Sequence, residues 1–202
     1  MFIMTPGLRS ARDKALTYFK EVLEERDESF DKLYKAVNAL AEQVRRINSE
    51  DKDTPTEAGY SFNLHCVIGG QLGNDKEHKL YILYPQANWV EVDQSTPYYV
   101  IGELSCGKLL LDRVLTYESN IEIALKVGFL AFDATRVAAT DVNFPFDVVL
   151  YRAGTYKIAS HRYEADKLRT VDKWWQRSLA KSGQELPGGW VRTSYGSAQP
   201  YK

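Results

Sequence analysis

Two neighbouring runs, HCVI at residues 65–68 and KLYILY at 79–84, are apolar at most positions rather than at every second one. A strand that alternates can leave one face in water, whereas a strand apolar on both faces must be covered on both. The wider stretches SFNLHCVIGG, KLYILYP, NWVEV and PYYVIG are rich in β-branched and aromatic residues and are separated by Gly, Asn, Asp and Pro. They read as antiparallel strands joined by hairpins. A sheet of this kind needs a layer on each side.

Helices are available to supply it. Ala11, Ala15, Phe19 and Leu23 fall on one helical stripe, and Leu33, Val37, Leu40, Val44 and Ile47 on another. Between them ERDES is a charged corner, and NSEDKDTPTEAG, from Asn48 on, is a loop that brings the helical pair back to the sheet. Helices return from about Cys106 to Tyr117 and from Asn120 to about Ala139, the second with Ser119 and Glu122 at capping-box spacing. Ala124, Val127, Ala131 and Ala134 share one face of it, with Leu130 beside them. PFDVVLYRAG is a further strand before a last amphipathic helix, about Glu164 to Leu179, and the turn-rich tail is expected to be loose from about residue 191. At the other end Phe2-Ile3-Met4 reads as an interior strand that turns at Thr5-Pro6-Gly7 into the first helix. The order is strand, two helices, about four strands, two helices, strands, helix. It calls for one α/β domain over residues 1–202, layered helix on sheet on sheet on helix.

Composition excludes several classes. With 44% hydrophobic and 26% charged residues the chain lies in the range of soluble folded proteins, and its formal net charge of -1 gives no pull toward nucleic acid or an anionic membrane. Phe2-Ile3-Met4 is too short for a signal-peptide core and no run approaches the length of a membrane span, so the expected location is cytoplasmic. Cys66 and Cys106 have neither metal-ligand spacing nor the numbers for a disulfide framework, and read as core or near-core residues. His65, His78 and His161 are scattered without metal-like spacing, so neither a metal nor a cofactor is expected. For Trp174-Trp175 and Tyr98-Tyr99 core burial is expected, with a subunit interface as the competing use.

In order along the chain, FIMTPGLRSARDKALTYFKE, FNLHCVIGG, LYILYPQANWVEV, TPYYVIGELSCGKLLLDRVL and ALKVGFLAFDATRVAATDVNFPFDVVLYRAG resemble the proteasome β-subunit superfamily. More narrowly they resemble its bacterial proteasome-type branch, called Anbu, from Phe2 to about Tyr163 and more weakly through the last helix. The ordered series YPQ-N-W, TPY-IGE-GK-DR and FDVVLYR carries the resemblance together. It implies the four-layer αββα sandwich of N-terminal nucleophile hydrolases, assembly into ring-like homo-oligomers, and threonine peptidase chemistry on peptide or unfolded-protein substrates. A Thr hydroxyl is a poor nucleophile at neutral pH, so a nearby amine or Lys must take its proton while backbone N–H groups hold the oxyanion. In the family that Thr is the first residue of the mature chain, with an Asp and a Lys on strands that follow. Phe2-Ile3-Met4 matches the strand immediately before the first helix, so the resemblance implies that those three residues and the first strands lie upstream of Met1. The chain as written is then expected to be inactive.

The resemblance also assigns roles to residues that are present. Gly7 matches the glycine whose N–H is an oxyanion donor; the alternative is a glycine needed only for the turn. Thr5 and Arg9, flanking it, match positions that line the pocket for the residue before the scissile bond, where Arg9 would favour acidic or polar side chains; an exposed helical Arg is the alternative. Thr5 as an unmasked nucleophile is disfavoured, because Pro6 and the helix follow it directly. Glu103 stands where the family's relatives place a supporting Ser, with Ser105 two residues on; a surface Glu and an N-capping Ser are the ordinary readings. Asp141 is the nearest match to a supporting Asp before FDVVLY but is two residues out of register, and Asp133 is read as structural. Three functions follow: a threonine-type peptidase subunit lacking its catalytic segment, a non-catalytic member of a ring-like complex, or an unrelated small-ligand-binding α/β domain.

Overall fold

The structure, a computed structural model, describes residues 1–6, 9–25, 30–50 and 64–191. Four strands, β1 (Phe2–Met4), β2 (Cys66–Gly70), β3 (Lys79–Leu83) and β4 (Trp89–Glu91), form one antiparallel sheet in that order. Its register opposes Ile3 to Ile68, Ile68 to Tyr81, Cys66 to Leu83 and Leu83 to Trp89. Opposed residues share a face, and this face carries the main core. Against it lie α1 (Arg9–Glu25) and α2 (Leu33–Glu50), which bring Ala15, Phe19, Leu33, Val37, Leu40, Val44 and Ile47 into one cluster with Ile68, Tyr81 and Leu83. All five residues of the expected α2 stripe are essentially inaccessible, whereas Leu23 of the α1 stripe is exposed. Every residue of β2 is buried, as a strand apolar on both faces requires.

Helix α3 (Gly107–Val114) packs against α4 (Ile121–Ala138). β5 (Phe146–Tyr151) and β6 (Ile158–Tyr163) form a separate two-stranded sheet, their six-residue connection being short enough only for antiparallel pairing. The α1–α2 pair, the four-stranded sheet, the β5–β6 sheet and the α3–α4 pair are the layers of the αββα class.

Four local expectations are corrected. PYYVIG forms no strand: Pro97 has no N–H to give a ladder, Gly102 takes φ +95°, and the side chains between are tied elsewhere, Tyr98 to Asp112 of α3 and Tyr99 to Tyr84 at 3.3 Å. Asn48, Ser49 and Glu50 are helical rather than loop, because Glu50 is held by Arg46 one turn back at 2.8 Å and Asn48 donates to the Pro85 carbonyl. The cap of α4 is Asn120, whose side chain accepts from the Ile123 N–H at 2.9 Å; Ser119 instead closes a turn with Thr116. Tyr99 is exposed and Tyr98 only half-buried, so neither is a core residue of this chain. The ERDES corner beyond Glu25, the segment 51–63 and the tail from 192 lie outside the described residues.

The chain separates into two compact units, one formed by Met1–Asn143 with Asp147–His161, the other by Phe144–Phe146 with the segment from Arg162 onward. Within the second, Phe146 stacks on Tyr163 at 5.3 Å and meets Phe144 at 5.7 Å. Its helix, α5 (Ala165–Glu185), buries no residue: Trp174 is 61% exposed and Trp175 half-buried, against the expectation of core burial.

Candidate functional site

The residues assigned by resemblance fall in two places. Thr5 is half-buried immediately after β1, where the strand gives way to Pro6. Gly7 lies outside the described residues. Arg9, at the start of α1, projects into solvent, and its Nε donates to Asp13 one turn on at 3.4 Å, a pair that occupies the guanidinium along its own helix. Arg12 also reaches Asp13, at 2.8 Å, and with Arg9 it holds that carboxyl below its usual range.

Glu103 and Ser105 stand together ahead of α3. The Ser105 N–H donates to Glu103 Oε1 at 2.8 Å, and the Ser105 side chain and amide lower the Glu103 carboxyl from its ordinary value, so it is ionised at neutral pH. The Ser105 hydroxyl lies 3.7 Å from the Cys106 thiol. It does not cap the helix: the capping position belongs to Cys106, which makes no side-chain cap bond. Asp141 is exposed in the turn after α4. The structure nonetheless brings the two segments close, since Glu103 and Val142, the residue after Asp141, line one cleft of about 240 Å³ with Val100, Ile101, Gly107 and Thr135.

Two residues of this cleft, Gly107 and Thr135, are given no role by the resemblance. A Cβ on Gly107 would stand 2.7 Å from the Ala131 carbonyl oxygen and 2.7 Å from Thr135 Oγ1 of α4, so the absent side chain is what lets α3 approach α4 so closely. Thr135 turns its hydroxyl back to the Ala131 carbonyl at 2.8 Å. The buried Asp133 pairs with Arg136 at 2.6 Å, consistent with a structural role. Among the described residues no group of three His, Cys, Asp or Glu side chains is placed to hold a metal ion. A larger cavity, about 490 Å³, lies away from these residues, between the second face of the first sheet at Phe2, Gly69 and Leu80 and the end of β5 at Val149–Tyr151.

Neither a family model nor a curated protein matches the sequence. Solved structures do match the fold. The Anbu protein (ancestral beta-subunit) of Yersinia bercovieri superposes with a TM-score of 0.83 at 26% identity, over 92% of this chain and 79% of that one. The chain is Anbu-like. The Gly-1 mutant of Anbu from Hyphomicrobium sp. strain MC1 matches with a TM-score of 0.81 at 26% identity, over 92% of this chain and 78% of its own. The Pseudomonas aeruginosa Anbu complex, solved as a helical assembly, matches with a TM-score of 0.83 at 24% identity over the same shares. Similarity to Anbu therefore extends over nearly the whole chain. No helix among the described residues is long and apolar enough to cross a membrane.

Proposed function

We propose that this chain is a self-associating subunit of the proteasome-type peptidase family, acting within a homo-oligomeric, cytoplasmic particle whose substrates are peptides or unfolded polypeptides. The observation that carries this reading is the Anbu fold, with TM-scores of 0.81–0.83 over 92% of the chain, one of the matching proteins being a helical assembly. The large apolar side chains left exposed at several points support it, among them Trp174, Leu109 and Val137, because assembly surfaces are where such groups remain exposed on a single subunit.

On this reading the chain by itself does not hydrolyse peptides. Thr5 is followed directly by Pro6 and then a helix, Glu103 is engaged by Ser105 and Arg9 by Asp13, so these residues serve as fold and pocket wall rather than as nucleophile and base. Incubation of the purified protein with a panel of fluorogenic peptides is expected to give no turnover above buffer. Turnover abolished by Thr5→Ala would overturn this and make Thr5 the nucleophile.

A further inference from the structure

The turn that joins β2 to β3 is bonded at both its ends to distant parts of the fold. The carboxylate of Asp75 accepts from the N–H of Leu33, the first residue of α2, at 3.0 Å and from the N–H of Leu72 in its own turn at 2.9 Å. It thereby does for α2 what a capping residue normally does from the preceding position in sequence. The Asp75 carbonyl accepts from Gln71 Nε2 at 3.2 Å. Gln71, 9% exposed, then turns its carbonyl oxygen to the β5–β6 connection, accepting from the Tyr151 hydroxyl at 2.8 Å and from the Gly154 N–H at 3.1 Å. The Tyr151 hydroxyl in turn accepts from the Tyr156 N–H at 3.3 Å. Tyr156 sits at φ +53°, a conformation a bulky side chain adopts only when its surroundings impose it.

These bonds run without a gap from Leu33 to Tyr156. We infer that the Gln71–Asp75 turn is a mechanical joint that couples the start of α2 to the β5–β6 connection, so that loosening either end loosens the other. The chemistry favours coupling over independent bonding. One amide, Gln71, accepts from Tyr151 and Gly154 and donates to the Asp75 carbonyl, and rotating or losing it breaks these three bonds at once. Gln71 is buried and its partners are half-buried or exposed, and successive hydrogen bonds through one buried amide polarise one another. The joint fixes where the β5–β6 connection stands beside the first sheet.

Amide hydrogen exchange on the purified full chain reads the coupling directly. In Asp75→Ala, which removes the acceptor, the amides of Gly154 and Tyr156, which the Asp75 side chain does not touch, are expected to exchange about fivefold faster, the size of one lost hydrogen bond. Reciprocally, Tyr151→Phe, which deletes one hydroxyl at the far end, is expected to speed exchange at Leu33. Gly107→Ala in α3 serves as a control for general destabilisation and should leave the ratio of these amides to the rest of the chain unchanged. Acceleration confined to Leu33 and Leu72 in Asp75→Ala, or to Tyr156 in Tyr151→Phe, would show separate local contacts and overturn the joint. If Asp75→Ala does not fold, Tyr151→Phe alone decides.

Discussion

At the residue scale, the fold depends on a few close approaches and a few held charges. Gly107→Ala places a methyl group against the α4 backbone at Ala131, which cannot retreat as a flexible side-chain tip can; the expected cost is about 1–3 kcal/mol, read from urea unfolding. At Glu50 the Lys14 ammonium, then the Arg46 guanidinium and the Tyr18 hydroxyl, bring the carboxyl from 4.5 down to about 2. A carboxyl lowered in the folded state contributes stability that is complete above its unfolded value and is lost as pH falls from 4.5 through about 2. The melting-temperature gap between wild type and Glu50→Gln should therefore close across that window. A gap that stays constant from neutral pH to the bottom of the window would contradict the assignment. Burial pushes the Cys66 thiol up to about 12, so a thiol reagent is expected to modify the half-buried Cys106 in the native protein and Cys66 only after unfolding. Equal native reactivity of the two would mean that the β2 face opens. The burial of Cys66 follows from its apolar strand, whereas the other features depend on a neighbour far along the chain and leave no sign in the sequence: Gly107 on Ala131, Glu50 on Lys14, Gln71 on Gly154.

Elements were far more legible than residues. The α2 stripe of Leu33, Val37, Leu40, Val44 and Ile47 is periodic in sequence and wholly buried in the fold, since a helix between sheet and neighbour buries whatever lies on one face. Leu40→Ala is expected to cost about 2–5 kcal/mol by leaving a cavity in this layer, measured by denaturant unfolding, whereas Leu23→Ala on α1, whose leucine is exposed, should cost well under half of that. Comparable losses would place α1 differently. The run PYYVIG was misleading for a physical reason: β-branched and aromatic residues report a half-buried surface, and Tyr98 and Tyr99 satisfy that need against α3 and Tyr84 rather than in a ladder. The cap of α4 shifted by one residue from Ser119 to Asn120 because both can accept from a helix N–H and Ser119 is already spent on Thr116.

For the whole molecule, the order of elements together with the runs around YPQ, TPY and FDVVLYR was enough to indicate the αββα class and the resemblance to Anbu, and the superposition over 92% of the chain agrees. The site was much less legible. Glu103 and Asp141 stand at or near family positions, but the cleft that Glu103 shares with Val142 arises from the α3–α4 packing at Gly107, which sequence position does not encode. On the proposed function this Anbu-like subunit works as an assembly. Sedimentation velocity of the purified protein over a range of concentrations tests it most directly. A species several times heavier than the 23.1 kDa chain is expected, and a sole species of chain mass at every concentration would contradict it.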